Sequence, residues 1–195
     1  MKLKSTLALT TLVVSGLFLA ATHGPQDKET KKAQDQAQDM PMPKPGPEHQ
    51  SLQKGVGTWD AVMKMGGQEF KGVETVRSFG NGLWIVFDFH CDNFMGMPFD
   101  GHGTAGYSPD EKKYVLNWID SMSTDVDSGT GVSTDGGKTI NWTSTARDPQ
   151  SRKMVTQKRV QTTKDDDHHT LTFYGPGPDG KEGVMMAIEY TRRKK

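Results

Sequence analysis

From Thr58 to Arg192 the chain is a succession of short runs in which alternate residues are apolar, cut at close intervals by glycine, proline and aspartate. A period of two puts successive side chains on opposite faces of an extended strand. Trp59, Ala61 and Met63 alternate with Asp60, Val62 and Lys64, and Ile140 and Trp142 with Asn141 and Thr143. Leu171 and Phe173 alternate with Thr170 and Thr172. Val184, Met186, Ile188 and Tyr190 are expected on one face, with Met185, Ala187, Glu189 and Thr191 on the other. One apolar face per strand, repeated along the chain, calls for an antiparallel sheet with one covered side. Closing that sheet on itself removes its edges and gives every apolar face a common interior.

Ten runs qualify as strands: 58–65, 70–78, 83–91, 99–107, 114–120, 125–133, 139–145, 154–163, 169–174 and 184–192. Turn sequences such as Gly66-Gly67, Gly80-Asn81-Gly82 and Asp135-Gly136-Gly137 separate them. The total of 22 glycines fits so many tight turns, several of which need positive φ. A short helix is predicted over 48–54, halted by Gly55, and residues 92–98 read as a longer loop carrying Phe94, Met95 and Met97. The expected fold is all-β: a single antiparallel β-barrel of about ten strands with a short N-terminal helix.

Ahead of that domain, Lys2 and Lys4 followed by the apolar run Leu7 to Ala21 predict a signal peptide over residues 1–21. Residues 22–46 have almost no apolar content and end in Met40-Pro41-Met42-Pro43-Lys44-Pro45-Gly46, the composition of a disordered linker. The barrel domain then occupies 47–195. The chain is expected in the periplasm or secreted, tethered to the membrane if the leader stays uncleaved, with no stable membrane span after cleavage. Cys91 is the only cysteine, so no intramolecular disulfide can support the fold. Lys plus Arg and Asp plus Glu both total 24, which gives no electrostatic footprint for nucleic acid. The sequence leaves the oligomeric state open.

Several stretches resemble the bacterial family catalogued as domain of unknown function 1579. They are Pro47-Glu48-His49 with Gly57-Thr58-Trp59, Met95-Gly96-Met97-Pro98-Phe99, Gly101-His102-Gly103-Thr104, Trp118-Ile119-Asp120-Ser121-Met122, and Glu189-Tyr190-Thr191-Arg192. The resemblance runs from Pro45 to Lys195. It implies a calycin-like (lipocalin-like) barrel, relatives of which bind fatty acids, retinoids or haem. It implies no established activity and carries over no catalytic residue.

A small barrel can enclose one small ligand. The residues expected to face it are Trp59, Met63, Trp118 and Tyr107, together with His102 and the Phe94, Met95 and Met97 of the loop, which could form an adaptable apolar lid. Trp59 also reads as a plug for the narrow end, and Trp118 and Trp142 as core. Haem or metal at His90 or His102 is disfavoured, because His90 falls with Trp84, Val86 and Asp88 opposite the apolar Ile85, Phe87 and Phe89. Asp125 to Gly129 resembles a calcium loop but lacks the bidentate glutamate, and Asp165-Asp166-Asp167 reads as a solvated turn. No metal site and no cofactor are therefore expected. The leading expectation is a non-enzymatic exported binder of a small apolar or amphipathic molecule. Two alternatives stand beside it: an enzyme on a lipid-like or aromatic substrate using His102, Asp120 and Tyr107, and an envelope interaction module with a filled barrel.

Overall fold

The computed structural model describes residues 42–147, 151–177 and 180–194; the expected leader over 1–21 and all but the end of the expected linker lie outside them. Met42 to Gly46 have no regular secondary structure and lead into the helix α1 (Pro47–Gln53). Proline at its first position costs no hydrogen bond there, and the Gly46 N–H donates to His49 Nδ1 at 3.0 Å. Ten strands follow: β1 (Gly57–Met65), β2 (Gln68–Phe79), β3 (Trp84–Phe94), β4 (Met97–Ser108) and β5 (Lys113–Asp120). The second half is β6 (Asp127–Val132), β7 (Thr139–Arg147), β8 (Met154–Thr163), β9 (His168–Pro176) and β10 (Glu182–Arg192).

Each strand pairs antiparallel with its sequence neighbours, and β1 pairs with β10 to close the barrel. The alternation read from the sequence sets which side faces in. Trp59, Ala61 and Met63 are buried, as are Phe89 and Cys91 of β3, Ile140 and Trp142 of β7, and Ile188 and Tyr190 of β10. All ten expected strands are present. Two details differ from strict alternation.

The residues 92–98 do not form a long loop. Met95 at φ 55° and Gly96 at φ 92° make a two-residue hairpin of the kind that matches strand twist, with Asn93 Oδ1 accepting the Gly96 N–H. An irregularity between Cys91 and Phe94 then turns Phe94 inward against Phe70 and Phe99. A second bulge, between Val184 and Met186, shifts the inner face of β10. Val184 is paired with outward Tyr174 and is 62% exposed, so only Met186, Ile188 and Tyr190 keep the expected inner position.

Inward glycines make room for rings. On β4, Gly101 lies under the Trp118 indole and Gly103 under Phe87; on β6, Gly131 lies under Trp142. A Cβ at Gly103 would sit 2.3 Å from the Phe87 ring and 3.1 Å from the Asn117 carbonyl. Gly103→Ala should therefore destabilise the barrel by about 1–3 kcal/mol in chemical denaturation. Gly183→Ala, where nothing lies within 4 Å, should stay within about 0.5 kcal/mol of the parent.

Candidate functional site

The buried apolar residues fall into two clusters on facing walls. One joins Trp59, Met63, Phe89 and Ile188 on β1, β3 and β10; the other joins Leu52 of α1 with Tyr114, Ile140 and Trp142 on β5 and β7. Between them runs a cavity of about 790 Å³. Ile85, Phe87, Trp118, Leu171 and Phe173 line it and pack on the clusters, yet they remain only partly buried. Inward side chains that keep accessible surface mark a hollow interior.

The helix α1 covers part of one end, where the cavity also reaches the exposed β6–β7 and β8–β9 connections at Asp135, Lys138 and Lys164. Leu52 is 6% exposed against the β5 and β7 cluster, and Gln53 Nε2 donates to the carbonyls of Gly82 in the β2–β3 turn and of Trp84 at the start of β3. Trp59 adds to this cover. Its indole N–H donates to the Gly55 carbonyl at 2.8 Å, and the Arg192 guanidinium lies 4.0 Å above its ring. At the opposite end the cavity reaches Met65, Met122 and Val126.

The barrel brings Trp59, Met63, Phe94 and Trp118 onto the cavity wall. The other four candidates are elsewhere. Met95 and Met97 belong to the β3–β4 hairpin, are 60% and 55% exposed, and are not part of the lining, because the tight turn is too short to fold over the interior. His102 is on the outer wall, bonded through Nδ1 to Asp88, and Tyr107 packs against His49 and Tyr114 beside α1. His90 is outside as its alternation indicated, and Asp100 and Asp92 hold its imidazole above the ordinary pKa.

His102, Asp120 and Tyr107 do not converge. Asp120 is spent on the Trp118 indole N–H and the Met122 backbone N–H, while His102 and Tyr107 sit on other parts of the wall. The carboxylates of the calcium-like stretch are likewise engaged, Asp125 by Arg147 and Asp127 by Arg159. Asp165 of the acidic turn accepts from His168 and from the Asp167 backbone.

Several polar groups that face the cavity, Glu74, Arg159 and His169 among them, were not singled out by sequence. Glu74 on β2 sits between inward Trp59 and Phe89 and accepts from the Tyr190 hydroxyl at 3.4 Å. Tyr190 stacks on His169 at 4.3 Å, and His169 meets the Trp59 ring edge-on. On the other side, β8 turns Gln157, Arg159, Gln161 and Thr163 inward along one strand. The missed signal for Glu74 is its place in the alternation Phe70, Gly72, Glu74, Val76. For β8 no apolar alternation exists from which a face could be read.

Burial shifts these groups in opposite senses. It raises the Glu74 carboxyl to about 7, against a smaller pull downward from the Tyr190 bond. It lowers His169 to about 4, helped by the positive charge of Arg192. A carboxyl pKa above the ordinary 4.5 means that the folded state holds the proton more tightly, so stability falls as pH rises from about 4.5 to about 7. Histidine acts the other way, removing stability as pH falls from about 6.5 to about 4. Glu74→Gln should be more stable than the parent at pH 8 by up to about 3 kcal/mol, with the difference vanishing below about pH 4.5. Urea melts of both proteins across that range check it.

Among solved structures, the chain is similar to Rv2717c from M. tuberculosis, at 15% identity, covering 77% of this chain and 100% of that one with a TM-score of 0.51. It is also similar to a de novo designed fluorescence-activating β-barrel, at 17% identity over 73% of this chain and 97% of that one, with a TM-score of 0.41. These likenesses concern the fold. No curated protein sequence matches. The model of a protein family of unknown function, DUF1579, matches residues 44–192, nearly the whole barrel with its helix, and the chain belongs to that family.

Proposed function

We propose that this is an exported container protein whose barrel binds one small apolar or amphipathic molecule and does not transform it. The observation that carries the reading is the hollow interior: a cavity of about 790 Å³, within the range that holds small ligands, walled by aromatic and aliphatic side chains. The cover that α1 and Trp59 place over part of one end supports it, since it shields contents from water on that side. The separation of His102, Asp120 and Tyr107 favours binding over the enzymatic alternative built on those three residues. The cavity likewise favours it over a filled-barrel interaction module.

One feature favours docking of the open end on an apolar partner in addition. Met95, Met97, Met122, Val126, Val184 and Met185 all belong to connections or strand ends opposite α1, and each is more than half exposed.

The neutral fluorophore N-phenyl-1-naphthylamine should enter the cavity and brighten with micromolar affinity. Leu171→Trp, which places an indole in the hollow, should weaken that uptake at least tenfold while leaving the thermal midpoint within a few degrees. Absence of uptake by the parent protein, with no small molecule retained in native mass spectrometry of material from its source, would reject the container reading.

A further inference from the structure

Most charged side chains along the cavity wall are answered by the protein itself. Arg159 pairs with Asp127 and Arg147 with Asp125, while Asp120 accepts the Trp118 indole N–H and the Met122 N–H. Lysines of the connections, Lys138 and Lys164, are exposed to solvent. Glu74 differs from both groups. It stands mid-way along β2 between Trp59 of β1 and Phe89 of β3, lines the cavity, and is half-buried there. Among the described residues its hydrogen bond is a long one, Oε2 accepting from the Tyr190 hydroxyl at 3.4 Å. Oε1 has no partner among them, and it is not sealed off: the enclosed unpartnered side-chain atoms belong to Tyr114, Asp127 and Arg159. The surrounding strands bring no free countercharge. β1 and β3 present Trp59 and Phe89, β9 presents His169, and β10 presents Tyr190 and Arg192, whose guanidinium is spent on the carbonyls of Lys54, Val56 and Asp166. An interior carboxylate with no cation beside it is costly, so this position has room for a charge that the chain does not supply.

We infer that Glu74 anchors the cationic head of the molecule held in the barrel, a primary or secondary amine carried on an apolar body. The inference rests on the container reading and names its ligand class. An ammonium N–H donates to the open Oε1 and brings the positive charge that Glu74 lacks. Trp59 and Phe89 flank the position, and aromatic surroundings favour a desolvated cation. His169, stacked on Tyr190, has its pKa lowered to about 4 by burial and by Arg192, so at neutral pH it sets no positive charge against such a head. The Arg159–Asp127 pair on β8 and β6 is neutral as a unit and does not reverse the preference. A carboxylate head would bring a second negative charge to Glu74, and an alcohol would leave the existing one unanswered. Burial raises the Glu74 carboxyl to about 7, so it is mostly ionised at pH 8 and protonated at pH 5. Protonation removes the anchor's charge, and amine affinity should therefore fall as pH falls through that value.

The test measures displacement of N-phenyl-1-naphthylamine from the full chain by decylammonium, 1-decanol and decanoate, at concentrations where none of them aggregates. At pH 8 decylammonium should displace the probe at concentrations at least tenfold below decanol, with decanoate the weakest; decanol or decanoate equal to or ahead of the amine would overturn the proposal. Glu74→Gln keeps the shape and removes the charge. It should reduce the ratio of amine to alcohol affinity at least tenfold, whereas an unchanged ratio would overturn the proposal. Glu189→Gln makes the same change on the outer wall of β10, where the carboxylate pairs with Lys64. It should leave the ratio within twofold, and a drop equal to that of Glu74→Gln would overturn the proposal by showing an effect of overall charge. An alkylammonium, like a lysine, stays charged from pH 8 to pH 5. Over that interval the parent's ratio should fall at least tenfold and that of Glu74→Gln should stay level; a level ratio in the parent would overturn the assignment. Failure of the parent to take up the probe would instead reject the container reading itself.

Discussion

The pairing of β1 with β10 is the interaction on which the rest depends. Seven residue pairs, from Trp59 with Arg192 to Met65 with Met186, turn a ten-strand sheet into a wall. Without that seam both strands would present unpaired backbone, and the inner faces would have no shared interior. The seam is fastened at the α1 end by Arg192. Its guanidinium donates to the carbonyls of Lys54, Val56 and Asp166 while covering the Trp59 indole. One side chain therefore ties the last strand to the first strand, to the segment after α1 and to the β8–β9 turn. Replacing a planar, multiply donating group there with a lysine would leave most of those carbonyls unmet.

Closure alone does not make a container, because small barrels are commonly filled by their own side chains. Here the large inward residues are spent on the wall. Trp118 lies over Gly101, Phe87 over Gly103 and Trp142 over Gly131, so rings lie over neighbouring strands where a Cβ would otherwise stand. Phe87 and Trp118 are themselves nearly parallel, at 21°. Glycine on β4 and β6 thus has a packing function beyond its turn function. It lets aromatic surface be buried against backbone, and the volume those rings would have filled stays open.

Much of the architecture was legible because it rests on a period of two, which any one-sided strand must show. The faces of β1, β3 and β7 follow directly from Trp59, Phe87 and Trp142 and their neighbours two residues away. The errors arise where the period breaks. The bulge before Met186 and the irregularity before Phe94 each insert a residue, and no local propensity distinguishes an inserted residue from its neighbours. The site was less legible for a related reason. Of the expected lining residues, Trp59, Met63, Phe94 and Trp118 reach the cavity wall, whereas His102, Met95 and Met97 do not. The last three are conspicuous in composition but face outward or form a rim. The groups that face inward, Glu74, Arg159 and His169, stood in strands where a polar residue looked like an ordinary solvent-facing one. For Glu74 the alternation with Phe70 and Val76 contained the answer. For Arg159 only the pairing of β8 with Trp142 and Phe173 supplies it.

The charge state of the interior follows from these placements and bears on what the cavity can hold. Burial leaves Arg159 with a pKa of about 10, so it stays cationic near neutrality, and Asp127 balances it within hydrogen-bond reach. His169, brought to about 4, is uncharged at pH 7, and Glu74 is near its midpoint there. The two shifted groups sit together with Tyr190 and Trp59 at the α1 end, whereas the compensated pair sits across the barrel on β8 and β6. The interior therefore holds one internally compensated pair on β6 and β8 and, at the other end, one carboxyl whose charge changes through neutral pH. Buried ionisable groups of this kind persist only where a partner offsets the charge or the group stays neutral, and the two ends of the cavity use one device each.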